Sequence, residues 1–435
     1  MSTAGQPAST ARLLMDAAHA LLRDHGPGAV TFRSVAEAAQ VSVATVQHHF
    51  GDKEQLLSQI LDAVLRDDAQ RLRPFDDAWR SDAPATFASV HAIVRGIVAD
   101  ACGANADRTR ARLSALMAAT RERNARHAAR RWLAAHRRFF ARLLEGVAPQ
   151  PRHAARYLVE LTIGIDIVSL GCRRRPLIPL LNDELLRYAV DAALGHGKPA
   201  CPDAFRANVT ALLQQRATQQ AGMDQQPAKG KKEDGTAKTG NAASKADKSA
   251  QVRRDILNAA AAVMSRGGVT ELTHRAVAKE AGIGASLVSY HFGSIDILLH
   301  AAYRHIHDGF ARVAMPARGP AMGPFEAVLA AMLGTRHGGA PAVLGSLEAL
   351  LASAYDDQFA DMAWQTRLMR GVYYLHAPDA KTFPVGSADY FAHMLSIWAL
   401  GLSLVSHAGW SERRFEACLR SRFDAVAPLF PASTR

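Results

Sequence analysis

Two stretches of the chain place side chains suited to a polyanion at matching intervals: Arg33, Val43, Ala44, Thr45, Gln47, His48 and Lys53 in one, Arg275, Ala285, Ser286, Ser289 and Tyr290 in the other. Guanidinium and ammonium groups neutralise phosphate, while small, amide and hydroxyl side chains on the exposed first turns of a helix can meet base edges. Such chemistry needs a support that presents one short helix outward, and the apolar spacing supplies it. Thr31 is placed to cap a short helix over residues 33–39, with Val35, Ala36 and Ala39 facing inward. A tight turn at residues 40–42 leads to a second short helix over 43–50, whose counterpart spans 285–292. Val46, His49, Phe50, Leu56 and Leu57 have the spacing of packing residues. Two short helices joined by about three or four residues let one cross the sugar–phosphate backbone while the other enters the major groove. A helix of about four turns precedes each pair, closed by Gly26 or Gly268, where left-handed backbone costs little. His48 and His49 are neighbours that point in different directions on a helix, so they read as one groove-facing and one packed histidine rather than a metal pair.

The two stretches are copies. Phe50 and Phe292 stand 242 positions apart, and this offset aligns TFRSVAEAAQVSVATVQHHFGDKEQLL with THRAVAKEAGIGASLVSYHFGSIDILL without a gap. From Arg12 and Arg254 onward about a third of the paired positions are identical, and others, such as Leu21 with Val263 and Val41 with Ile283, exchange one apolar residue for another. Residues 217–251 lie between the repeats and are built almost wholly of Gly, Ala, Ser, Thr, Gln, Lys and Asp with no aromatic residue. Such a composition cannot bury enough apolar surface to offset ordering, which predicts a flexible linker spanning about 30 Å as a random coil. Elsewhere helical periodicity dominates, no alternating strand pattern occurs, and the expected fold class is all-α. The chain divides into a first helix-turn-helix domain at 10–58, a first effector and dimerisation domain at 59–216, the linker, a second helix-turn-helix domain at 252–300 and a second effector domain at 301–435.

The runs SVATVQHHFGDKEQLL and GASLVSYHFGSIDILL resemble the recognition helix and following segment of the tetracycline-repressor (TetR) family of regulators. The resemblance is specific over about 50 residues at the start of each half and general beyond. It implies an all-helical, normally dimeric fold, with each half matching one protomer in length. It also implies that Arg33 and Arg275 reach phosphate or a guanine edge, that Val43, Ala44 and Gln47, with Ala285, Ser286 and Ser289, read bases, and that Thr45, His48, Lys53 and Tyr290 hold phosphate. The second module departs from this pattern: Leu287 stands where the first has Thr45, and Ile295 where it has Lys53. A weaker second reading head, and non-identical half-sites, are the expectation.

The totals agree with a nucleic-acid partner. The 435 residues carry a formal net charge of +12, and the sequence pI is near 9.8; such an excess favours polyanions. Cys102, Cys172, Cys201 and Cys418 stand far apart, with no zinc or redox spacing, and read as reduced thiols. No secretory signal is evident, so a cytoplasmic protein is expected. Residues 390–410 approach membrane-spanning length, but His393, His407 and three serines interrupt them, which favours a buried interface helix and no membrane partner. No nucleophile–base pair, phosphate loop or metal spacing points to an enzyme, a cofactor or a metal.

Candidates for an effector pocket are Met117, Trp132 and Phe139 in the first half and Trp364, Tyr373, Tyr374 and His376 in the second, although aromatic residues at helical spacing more often form core. By resemblance the effector is a small apolar or aromatic molecule. Glu160 and Asp166, in the apolar run YLVELTIGIDIVSLG, need partners, and an interhelical role is preferred to a ligand contact. Arg121, Arg123, Arg126, Arg130, Arg131, Arg137 and Arg138, and the run Arg173 to Arg175, read as solvated faces. The leading expectation is a ligand-responsive repressor of double-stranded operator DNA whose halves pack as an intramolecular pseudo-dimer. A homodimer of whole chains, and a second module that senses without binding DNA, are the alternatives.

Overall fold

The computed structural model of the protein describes residues 10–82, 86–195, 239–313, 332, 342–370, 387–410 and 414–426. Among these every regular element is a helix, in agreement with the periodicity. The first half runs α1 (Thr10–His25), α2 (Phe32–Ala38), α3 (Val43–Phe50), α4 (Lys53–Gln70), α5 (Arg73–Asp82), α6 (Phe87–Cys102), α7 (Ala106–Ala119), α8 (Arg123–Leu143), α9 (Pro151–Leu170) and α10 (Ile178–Leu194). The second half holds α11 (Thr239–Gly267), α12 (His274–Ala281), α13 (Ala285–Phe292), α14 (Ile295–Val313), α15 (Ala342–Ser353), α16 (Ala360–Met369), α17 (Ser387–Gly409) and α18 (Phe415–Val426).

Local chemistry fixes the ends of the head helices. Thr31 and Ser34 form a capping box on α2, each side chain accepting from the other's backbone N–H. Asp52 accepts from the Gln55 N–H at 2.8 Å to start α4, and Thr273 caps α12 in the same way; each such cap contributes about 1 kcal/mol. Gly26 and Gly268 both have φ 81 with ψ near 180°. This is not the left-handed helical cap expected, but an extended positive-φ conformation that only glycine occupies readily.

Each head builds its own apolar centre. Leu14, Ala18, Leu22, Val35, Val46, Phe50 and Leu56 are buried in the first, and Ile256, Ala260, Met264, Val277, Val288, Phe292 and Leu298 in the second. Behind the heads, α4 packs on α7 and α8, and α14 packs on α11 and α15. The largest buried cluster then runs from Leu14 through α9 to Trp398 and Val426, so a single core joins the two halves. Its centre is the crossing of α9 and α17, the most extensive helix pair among the described residues. A Cβ at Gly164 would run into the carbonyl oxygen of Ile397, and one at Gly401 into that of Glu160. The backbones approach so closely that only glycine fits at either position.

Two expectations are corrected and a third holds in part. The segment expected to be a linker lies outside the described residues up to 238, but α11 already begins at Thr239, so residues 239–251 are helical. NAASKADKSAQ contains no Gly or Pro and is rich in Ala and Lys, so it extends a helix nucleated by the buried Ile256 face at little cost. His49, expected to pack, is exposed, because Val46 and Phe50 alone fill the inward face of the two-turn α3. The arginines expected to be solvated are so in part: Arg123, Arg130, Arg131, Arg138, Arg174 and Arg175 are exposed, whereas Arg121, Arg126, Arg137 and Arg173 are half-buried, Arg126 donating to the carbonyls of Ala119 and Thr120. Arg174 and Arg175 reach Asp357 and Asp361 across the two halves. For Glu160 and Asp166 the interhelical role holds, since both are bonded to other helices (Arg422 and Arg112). No single helix among the described residues is long and apolar enough to cross a membrane; α17, which comes nearest in the sequence, is buried from residue 393 to its end apart from partly exposed His407 and Gly409.

Candidate nucleic-acid interface

The recognition helices α3 and α13 are each two turns long, pinned on one side and open on the other. Val46 and Phe50 anchor α3, and Val288 and Phe292 anchor α13. On the open side of the first head lie Val43, Ala44, Gln47 and His48, with Arg33 exposed on the first turn of α2, Lys53 exposed at the start of α4 and Thr45 half-buried. In the second, Arg275, Ala285, Ser286, Ser289 and Tyr290 are exposed, Tyr290 to 82%. Among the described residues nothing else covers these faces, so both helices can enter a groove.

The two heads are alike in backbone and unlike in chemistry. Ser42 caps α3, its hydroxyl accepting from the Thr45 N–H at 3.1 Å and meeting the Thr45 hydroxyl at 2.9 Å. Gly284 holds the same place on α13 and offers no side-chain cap. Gln40 sits in the inter-helix turn at φ 55, where the second head has Gly282 at φ 67, so the first head accepts a strained residue and the second does not. The Ser289 hydroxyl is shared with His274 Nδ1 at 3.0 Å. Leu287, Ile295 and Ile297 are all exposed, which gives the second head an apolar surface where the first carries Thr45, Lys53 and Gln55. Two groups beside the recognition helices were missed in the sequence. His49 is exposed next to His48, and Arg253 lies over the Phe292 ring at 4.3 Å and donates to the His291 carbonyl. The position of Arg253 one turn before the buried Ile256 was the signal available.

Of the effector candidates, Met117, Trp132 and Phe139 are buried. Trp132 belongs to an ionic cluster: its Nε1 donates to Asp68 at 2.8 Å, and Arg71, Arg112 and His136 stand around the same carboxylate. Burial pushes Asp68 up, but Arg112, Arg71, His136 and the indole together outweigh it, and the net shift is downward. Asp166 takes Arg112 Nη2 at 2.5 Å. Burial lowers His136 to about 4, so it is neutral. Phe139 lines a groove of about 270 Å³ with Arg138, Arg142, Arg73 and Asp76. Trp364 is half-buried under the Arg175 guanidinium. Tyr373, Tyr374 and His376 lie outside the described residues. Burial raises the Cys102 thiol well above its usual range and the Cys172 thiol to about 11, which favours the protonated thiol over the nucleophilic thiolate.

Two helix-turn-helix heads with exposed second helices define a DNA-binding regulator rather than a catalyst. The family comparison agrees: residues 14–60 and 256–302 each match the model of bacterial regulatory proteins, tetR family. The tetR-family model thus matches the chain twice in tandem, once over each helix-turn-helix head. Among solved structures, a transcriptional regulator from Rhodococcus sp. Rha1 is 22% identical, with 43% of this chain and 95% of that one covered at a TM-score of 0.35. The multidrug binding protein EbrR, complexed with imidazole, is 24% identical, with 42% and 91% covered at a TM-score of 0.27. No curated protein matches the chain.

Proposed function

We propose that this chain is a ligand-responsive repressor in which one polypeptide reads a two-part operator, its halves acting as the two protomers of a dimer. The observation that carries this reading is the joint core of α9 and α17 behind two exposed recognition helices. Fusing the halves holds both heads on one support, so the second contact on DNA is intramolecular and gains from effective concentration. The base-reading set is Val43, Ala44 and Gln47 with Ala285, Ser286 and Ser289. Arg33, Thr45, His48, Lys53, Arg275 and Tyr290 meet the backbone or a guanine edge. The domain divisions near 58, 216, 251 and 300 go with this reading, the second head taking its first helix from inside the linker.

The effector is proposed to be a small apolar or aromatic molecule, with Met117, Trp132, Phe139 and Trp364 as the residues nearest its site. A ligand prising α8 from α4 and α7 would act on the supports of the first head and shift the population away from the DNA-binding spacing. Selection of bound DNA by the intact chain, with the mass of the complex recorded, tests the proposal. One chain on an asymmetric site is the expected result, and two chains on a palindrome would overturn it. The apolar surface of the second head, Leu287, Ile295 and Ile297, favours one alternative, a second module that does not contact DNA. In the full chain, Arg275→Ala would then leave affinity unchanged while Arg33→Ala abolished it.

A further inference from the structure

The interface between the halves is built on an exchange of equivalent places. Gly164 lies on the carbonyl of Ile397, and Gly401 on that of Glu160. Gly164 and Gly401 stand 237 positions apart, as do Ile178 and Phe415, the first residues of α10 and α18. In this register Glu160 corresponds to Ile397, Leu161 to Trp398 and Leu185 to Arg422, and all six are buried. The two contacts at the crossing are therefore mates of each other, which is the pattern of a self-complementary interface.

The side chains break that symmetry. Glu160, with no exposed surface, accepts from Arg422 Nη2 at 2.7 and 2.8 Å, from Arg422 Nε at 3.0 Å and from Trp398 Nε1 at 3.0 Å. The mate of this polar lobe is wholly apolar: Ile397, Leu161 and Leu185. If two first halves paired in the same geometry, each Glu160 would face Leu161 and Leu185 and keep only Arg137 of its own half, whose Nη2 stands at 3.8 Å. If two second halves paired, each Arg422 would face Ile397 and each Trp398 N–H would lose its acceptor. A buried ion stripped of its partner shifts an equilibrium by roughly a hundredfold or more. We propose that the Glu160–Trp398–Arg422 cluster is a partner-selecting lock, fitting a first half to a second half and rejecting twin pairing, within one chain or between two copies. This rests on the paired-halves part of the proposed function and not on DNA binding.

Charge exchange in the full-length chain tests it. Glu160→Arg alone sets two arginines together at the crossing, and Arg422→Glu alone sets two glutamates there. Each should lose the particle mass of the wild type, and the double variant E160R/R422E should regain it. The decisive arm co-expresses the two single-variant chains under different tags. The first half of the Glu160→Arg chain then fits the second half of the Arg422→Glu chain, and the two unaltered halves, with Glu160 and Arg422, fit as before. A two-chain particle carrying both tags is expected, recovered at least tenfold better than from two tagged copies of either variant alone, even where a single variant is insoluble by itself. Single variants that keep the wild-type mass and melting temperature, or a co-expressed pair that yields no joint particle, would overturn the lock. Such a failure leaves the regulator reading standing. Success of the exchange together with two wild-type chains on a palindrome would defeat the one-chain operator and keep the lock.

Discussion

Lys53 and Ile295 occupy the same place at the entrance of α4 and α14, and both are exposed, so one head carries an ammonium where the other has a butyl group. Each neutralised phosphate contributes about 0.9 to the slope of log affinity against log salt. Lys53→Ala should lower that slope by about one and weaken binding to all sequences alike, and Ile295→Lys should raise it by about one; salt titrations of operator affinity in the full chain measure both. No change on Lys53→Ala would remove this residue from the interface. The Ser42 cap against Gly284 points the same way but is a smaller effect, since glycine at a cap costs only a few tenths of a kcal/mol relative to serine.

At the scale of the helices, α4, α7, α8 and α9 meet around Asp68, Arg112, His136 and Asp166, titratable groups almost wholly removed from water. His136 Nδ1 approaches the Trp132 carbonyl at 3.1 Å, while Nε2 is buried without a hydrogen bond. Its pKa of about 4 in the fold, against 6.5 for the free side chain, means that between these values the unfolded chain takes up a proton that the folded one refuses. The associated stability is complete above pH 6.5 and is lost as the pH falls towards 4, by about 3 kcal/mol in all. His136→Phe should make the melting temperature fall less steeply over that window than in the wild type; an unaltered slope would show that His136 is charged in the fold. The helix-turn-helix pairs were legible in the sequence because the 242-residue offset runs through them without a gap and because Val46, Phe50, Val288 and Phe292 keep one buried face. The repeat of GIDIVS, residues 164–169, as GLSLVS, residues 401–406, went unread because its offset is 237, five residues out of the earlier frame. The glycine in each copy marks the helix crossing, but a lone glycine in an apolar run has many readings. Nor could spacing place Asp68 beside Trp132 and Asp166, which are brought together by folding alone.

Across the whole molecule each head is gripped by the other half. Tyr355, just beyond α15, donates its hydroxyl to the Leu22 carbonyl at the end of α1 and meets Ser114 of α7 at 2.9 Å. Arg121, just beyond α7, donates to the Met264 and Ser265 carbonyls at the end of α11 and pairs with Glu348 at 2.6 Å. Leu22 and Met264 are equivalent residues, so the arrangement is reciprocal, and we expect it to set the spacing of the heads. Combining Arg121→Ala with Tyr355→Phe should leave each head folded yet lower affinity for the full operator about tenfold, the worth of one or two hydrogen bonds. The variant should also tolerate a spacer altered by one or two base pairs that the wild type rejects. Equal discrimination by both proteins in a spacer series would place the control of spacing elsewhere. The difference between Ser42 and Gly284 carries a consequence for ancestry. In a protein made of two identical subunits one codon change alters both hands at once, and the target must change in two places to follow. On the proposed reading, in which the two halves of one chain each take part of the operator, each hand has its own codons, so one could drift to a new sequence while its sibling keeps the old grip, and the pair could wander through promoter space one step at a time.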